Sequence, residues 1–171
     1  MKFFVVLITF LNICFAQISI PNTFEANFIQ SVQNEENSTI TYKGKLKATI
    51  DKKALWIYEN PISKKIYFSN GEFLIIEDEL EQAIYGKTNQ NVDFFQILQN
   101  AKKTDQETYE AKCCDNKYSI TLENEKIKSI TYKDKLDNTI KLDFSNVLYN
   151  TPLDDGLFVP KIPKDYDLLR R

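Results

Sequence analysis

The chain has 171 residues, with 22 basic and 24 acidic side chains, 12 Phe, 9 Tyr, four Gly, three Cys and no His. That length supplies one domain with a sizeable core, and the near-balanced charge excludes the basic field that a nucleic-acid partner requires. The missing His excludes Ser-His-Asp and Cys-His nucleophile pairs, His-ligated zinc and imidazole proton shuttles, so an enzyme is disfavoured from the outset.

Met1 and Lys2 form a short positive region, residues 3–15 are apolar apart from Thr9 and Asn12, and Ala16 supplies the small residue of a cleavage site. This is the pattern of a cleaved secretory signal peptide over residues 1–16. Such a stretch falls well short of the roughly 20 residues that span a bilayer. A lipoprotein-type processing site at Cys14 is disfavoured, because Ile13 stands where a small residue is required. Cleavage removes one basic residue, Lys2, and leaves residues 17–171 as a single exported domain with a net charge near −3. The mature cysteines, Cys113 and Cys114, are adjacent. Alternation along a strand then predicts one buried and one exposed thiol rather than a disulfide framework.

From Phe24 onward the dominant pattern has period two, as in strands with one buried face. Phe24, Ala26 and Phe28 alternate with Glu25 and Asn27, predicting a strand over 24–32. Over 40–50, Ile40, Tyr42, Gly44, Leu46, Ala48 and Ile50 interleave with Lys and Thr. Shorter strands follow at 55–58, 65–69, 73–77 and 80–85, separated by turn-forming segments such as Asn60-Pro61 and Asn70-Gly71. A second series covers 109–113, 118–122, 127–132 and 139–144. The short connections predict antiparallel pairing between successive strands.

One segment breaks the rhythm. Over 92–103, Val92, Phe94, Phe95, Ile97, Leu98 and Ala101 form a wide stripe at helical spacing. Asn91 is placed to cap it, Asp93 lies in its first turn, and Lys102 and Lys103 lie in its last, as the helix dipole prefers. The tail from Phe158 through Pro160, Pro163 and Tyr166 reads as extended.

No constellation for covalent chemistry, metal or cofactor emerges. Glu35-Glu36 and Asp154-Asp155 read as solvated surface, four scattered Gly residues cannot cradle a phosphate, and Cys113 and Cys114 lack an imidazole partner. What remains is an exported, mainly β shell with one apolar helix. Its inner face either closes into a solid core, as in a partner-binding β-sandwich with a peptide-binding edge, or encloses a cavity for an apolar ligand. Composition leaves both open.

The order of motifs resembles the periplasmic lipoprotein carrier family (LolA-like proteins) along nearly the whole mature chain. The segments that carry the likeness are Phe24-Glu25-Ala26-Asn27-Phe28-Ile29-Gln30, Tyr42-Lys43-Gly44-Lys45-Leu46, and Leu55-Trp56-Ile57-Tyr58-Glu59-Asn60-Pro61. Then follow Ser69-Asn70-Gly71-Glu72-Phe73-Leu74 with Glu81-Gln82, the Phe95-Gln96-Ile97-Leu98 segment, and the closing run from Phe158-Val159-Pro160 to Tyr166-Asp167. The resemblance implies an incomplete antiparallel β-barrel, a curved sheet enclosing an apolar cavity and covered by a lid helix. It implies a monomer without cofactor that does no covalent chemistry. Such a carrier takes acylated lipoproteins from an ABC-type releasing complex of the inner membrane and delivers them across the periplasm to an outer-membrane acceptor. An acceptor, or a carrier of another lipid or glycolipid, is the alternative within the same fold.

Hiding acyl chains is an energetic necessity in that role. At about 0.8 kcal/mol per CH₂, one sixteen-carbon chain left in water costs on the order of 12 kcal/mol. Alternation nominates Leu46, Ala48, Ile50, Trp56, Tyr58, Ile66, Phe68, Ile120, Leu122, Ile130, Ile140 and Leu142 as inward-facing cavity residues, with Phe94, Phe95, Ile97 and Leu98 as the underside of the lid. The best-known members carry an arginine six residues before the tryptophan and a phenylalanine two before it, which latch the lid. Here those positions are Ile50 and Ala54, and Lys52 and Lys53 nearby lack a guanidinium fork. Only residues 17–23 precede the first strand, with Pro21 among them, so the family's N-terminal helix is expected to be short or missing.

Overall fold

The computed structural model describes residues 18–87, 94–113 and 115–170. The expected signal segment, the helix cap Asn91, Val92, Asp93 and Cys114 lie outside the described residues. Among the described residues, twelve strands form one sheet: β1 (Thr23–Gln33), β2 (Thr39–Thr49), β3 (Lys53–Asn60), β4 (Lys64–Ser69), β5 (Glu72–Glu77), β6 (Gln82–Lys87), β7 (Lys102–Lys103), β8 (Thr108–Cys113), β9 (Asn116–Glu123), β10 (Lys126–Lys133), β11 (Thr139–Tyr149) and β12 (Asp167–Arg170). The helix α1 (Phe94–Gln99) lies between β6 and β7.

The strand order is β12-β6-β5-β4-β3-β2-β1-β11-β10-β9-β8-β7, so the chain's first strand sits mid-sheet with its hairpins fanning out on both sides. Every pairing is antiparallel except that of β12 with β6, which is parallel. Short turns dictate the antiparallel pairs. The parallel one arises because the tail crosses back over the sheet before adding its strand.

The sheet is strongly curved. On a flat sheet, Tyr58 of β3 and Tyr132 of β10 would stand four strand spacings apart, about 19 Å. They instead line one cavity. The inner face carries the main core, including Phe24, Phe28, Leu46, Ile120 and Phe144, with α1 packed against it through Phe94, Phe95, Ile97 and Leu98. Phe24 anchors the contact, its ring centroid 4.6 Å from Phe94 and 5.4 Å from Phe144. Gly44 makes room for this packing: an added Cβ would collide with the Ile57 carbonyl oxygen and meet the Phe28 ring at 2.7 Å.

A second, smaller cluster of Leu74, Ile76 and Ala83 packs with Tyr67, Tyr85 and Tyr166. In the register of β5 and β4, Leu74 and Ile76 take the parity opposite to Phe73 and Ile75, which stand across from Phe68 and Ile66. The cluster therefore covers the outer face, and the tail straps it. The Tyr166 hydroxyl donates to Asp78 Oδ1 at 3.0 Å, and the Asp167 N–H donates to the Glu81 carbonyl at 2.9 Å.

Three boundaries differ from the sequence expectation. The helix ends at Gln99, not at 103, because Lys102 and Lys103 pair with Glu110 and Tyr109 as edge strand β7. Their ammonium groups guard a sheet edge instead of a helix end. The strand expected over 80–85 is shifted to Gln82–Lys87, since Asp78–Leu80 form a 3-10 turn closed by Glu81 at φ 48° and leave Leu80 exposed. The tail is not wholly extended, containing a 3-10 turn at Asp155–Phe158. Between Ile18 and Thr23 there is no helix, consistent with Pro21, which lacks an N–H and disfavours helical backbone before it.

Candidate functional site

The inner face is not filled. Ala48 of β2 lies directly opposite Ala54 of β3, so two methyl groups occupy a position where the neighbouring pairs carry Trp56 and Phe68. The resulting hollow of about 420 Å³ is bounded by the sheet on one side and α1 on the other. That volume lies within the roughly 300–1,000 Å³ of ordinary ligand pockets. Ala48, Ala54, Trp56, Ile66, Phe68, Ile130 and Leu142 supply its apolar walls, and Phe94 with Ile97 its cover.

The two ends of the hollow differ in chemistry. At the end where β1 finishes and β4 begins, Gln30, Tyr58, Tyr118, Tyr132 and Asn116 line it. The Tyr58 hydroxyl donates to Gln30 Oε1 at 2.8 Å, and its ring stands edge-on to Phe28 at 5.1 Å. Tyr118 and Tyr132 are direct cross-strand neighbours with centroids 5.1 Å apart. Burial pushes the Tyr132 phenol up to about 12 and raises that of Tyr58 further above the usual tyrosine range, with the neighbouring phenols adding to both shifts. Both therefore remain neutral donors.

At the opposite end, Lys52, Lys53, Ser69 and Gly71 form the rim. Lys53 Nζ lies 2.7 Å from Asp155 Oδ1 and 3.0 Å from Asp51 Oδ2, which raises the Lys53 ammonium pKa and ties the 3-10 turn of the tail to the rim. The carboxyl of Asp51 is held below its ordinary value, first by a hydrogen bond from Thr49 and then by Lys53.

Of the sequence-nominated residues, Ala48, Trp56, Tyr58, Ile66, Phe68, Ile130, Leu142, Phe94 and Ile97 border the hollow. Leu46, Ile120, Ile140, Phe95 and Leu98 are buried, and Leu122 is half-buried against the core, but none borders the hollow. On the six-residue helix all four apolar side chains are buried, but Phe94 and Ile97 share the stripe that borders the hollow, whereas Phe95 and Leu98, one position round, do not reach it.

Ile50 is a correction. Strand β2 ends at Thr49, the alternation does not continue through the turn, and Ile50 is 42% exposed with its N–H donated to the Asn22 carbonyl.

Sequence reasoning missed the polar lining. Gln30 shares the parity of Phe24 and Phe28 on β1, and Tyr118 and Tyr132 share that of Ile120 and Ile130. A polar group on an otherwise apolar stripe was the available signal.

Among the described residues, no group of three or more His, Cys, Asp or Glu side chains is placed to hold a metal ion. No described helix is long and apolar enough to cross a membrane. A second groove, about 730 Å³ but more open, runs on the outer face between Tyr67, Leu74, Tyr85 and the tail at Phe158, Ile162 and Leu168. The inner hollow is the better ligand site despite its smaller volume, because sheet and helix wall it from two sides.

No family model matches the chain. It is 33% identical over 169 residues to the outer-membrane lipoprotein carrier protein of Campylobacter jejuni, covering 99% of both chains. Against the protein of the same name from Helicobacter pylori it is 34% identical over 146 residues, 85% of this chain and 78% of that one. The crystal structure of a LolA superfamily protein from Nitrosomonas europaea superposes with a TM-score of 0.57 at 12% identity, covering 84% of this chain and 93% of that one.

Proposed function

The chain belongs to the outer-membrane lipoprotein carrier family, and from that premise we propose that it carries lipoproteins across the periplasm with their acyl chains sheltered in the inner hollow. The single observation that supports the site is the unfilled space between Ala48, Ala54, Phe68 and Phe94 on an otherwise buried apolar face. An acyl chain entering it exchanges water for hydrocarbon contact along its length. The protein catalyses no covalent step. A solid β-sandwich is disfavoured, since the strands form one curved sheet and not two packed ones.

In this reading, residues 1–16 direct export, residues 17–171 form the working carrier, and it acts as a monomer. Cargo comes from an ABC-type releasing complex of the inner membrane and passes to an outer-membrane acceptor. Loading and release require α1 to move, because Phe94 and Ile97 cover the hollow. Directionality requires the acceptor to hold the chains more tightly than the carrier does.

A release assay tests this. Membranes bearing triacylated lipoprotein and the releasing complex are given ATP, with and without the protein, and soluble lipoprotein is measured. Wild-type protein is expected to bring lipoprotein into solution, and Phe94→Asp, which sets a charge on the cavity cover, is expected to lose that activity while remaining folded. Absence of soluble lipoprotein with the wild type contradicts the reading. So does global unfolding of Phe94→Asp, the outcome a solid core predicts.

A further inference from the structure

We propose that Gln30, Tyr58 and Tyr132, with Tyr118 and Asn116 beside them, form a polar subsite that receives the ester and amide carbonyls joining acyl chains to their head. The ligand then lies with its linkage at this end and its tails running toward Ala54, Phe68 and Phe94. The inference rests on the carrier reading and adds to it an orientation and a chemical selectivity.

Position is the first argument. Tyr58 and Ala54 lie on the same face of β3, four residues apart, so the hollow runs roughly 13 Å from the tyrosine end to its all-apolar middle. The phenols are confined to that one end.

Chemistry is the second. Tyr132 is a neutral donor that burial keeps protonated, and Tyr58 commits its one O–H to Gln30 Oε1, which orients the Gln30 amide so that its N–H groups are the donors offered to a ligand. Neutral donors complement neutral carbonyl acceptors. A phosphate or carboxylate would instead call for a fixed cation facing the hollow. Lys64, beside this end, does not line the hollow: its Nζ sits 4.6 Å over the Tyr58 ring and 5.8 Å over that of Tyr42. The lysines that do line the hollow, Lys52 and Lys53, stand at the far end, where Lys53 is paired with two carboxylates.

Energetics is the third. Hydroxyls on a desolvated wall are costly unless satisfied, and plain hydrocarbon would be held as well by Phe and Leu. A carbonyl drawn in behind its acyl chain loses its own hydration, and the Tyr132 hydroxyl and the Gln30 amide N–H return that hydrogen bond.

The test compares two synthetic ligands of equal chain length and identical peptide head, a dipalmitoyl-glyceryl cysteine peptide and its dihexadecyl ether analogue, which lacks only the ester carbonyls. Each displaces a fluorescent fatty-acid probe from the mature protein, and affinity is read from the competition curve. Wild type is expected to bind the ester form about five- to tenfold more tightly. Tyr132→Phe is expected to bring that ratio near one. Equal affinities in the wild type, or a ratio that Tyr132→Phe leaves unchanged, overturn the subsite while leaving the carrier reading intact. Failure of both ligands to displace the probe overturns the carrier reading and the subsite together. Should Tyr132→Phe not fold by circular dichroism, Gln30→Leu carries the same comparison with the same deciding outcomes.

Discussion

Gly44 and the buried tyrosines show how single residues set this interior. An added methyl at Gly44 meets a backbone oxygen of β3, which cannot swing aside as a side chain would. Gly44→Ala is therefore expected to destabilise the protein by about 3 kcal/mol, the upper part of the usual overpacking range, read from the urea midpoint at constant slope. A loss within experimental error would mean that β2 and β3 separate freely at this point. The phenols give a pH signature of definite sign. Their folded pKa values lie above the unfolded value of about 10, so their contribution is fully present below pH 10 and falls as pH rises from there toward about 12. Thermal stability should drop above pH 10, and the Tyr58→Phe, Tyr132→Phe double variant should flatten that drop. An unchanged alkaline slope in the double variant would contradict the assignment. At this scale the inward parity was legible in the sequence wherever a strand persisted. It failed at Ile50 because a strand's end is set by the turn, where Lys52 adopts φ 68°, and not by the hydrophobic pattern running into it.

The helix illustrates what an element owes to its neighbours. Six residues with four buried apolar side chains are too few to hold helical backbone alone, so α1 exists because the inner face of the sheet receives it. Its two stripes should respond differently to truncation. Phe95→Ala removes a ring that is 1% exposed within the close-packed core and is expected to cost about 3–5 kcal/mol. Phe94→Ala should cost distinctly less, because its ring already borders open space, yet it should weaken acyl-ligand binding more. Chemical denaturation and ligand displacement on both variants separate the two effects, and equal responses would refute the division of faces. The sequence revealed the helix but misjudged its length. Lys102 and Lys103 satisfy a helix dipole and a sheet edge equally well on paper, and only the proximity of β8 decides between them. Similarly, Leu80 reads as a strand start until the 3-10 turn before β6 is seen to expose it.

For the molecule as a whole, the decisive property is that a single sheet curls around space it does not fill. Alternation alone could not disclose this, because the same period-two pattern serves a solid sandwich and a hollow shell. Curvature emerges from long-range register, and the space emerges from Ala48 meeting Ala54 across a strand pair, a juxtaposition that no local window of sequence contains. The order of family motifs supplied what periodicity lacked. As a carrier, the protein must hold acyl chains in this hollow in the cell. Native mass spectrometry of the protein recovered intact from its own periplasm, under conditions in which lipoproteins are being exported, tests it most directly. A population carrying the added mass of an acylated lipoprotein, lost when Phe94→Asp replaces the wild type, is the predicted result; recovery of ligand-free protein alone would contradict it.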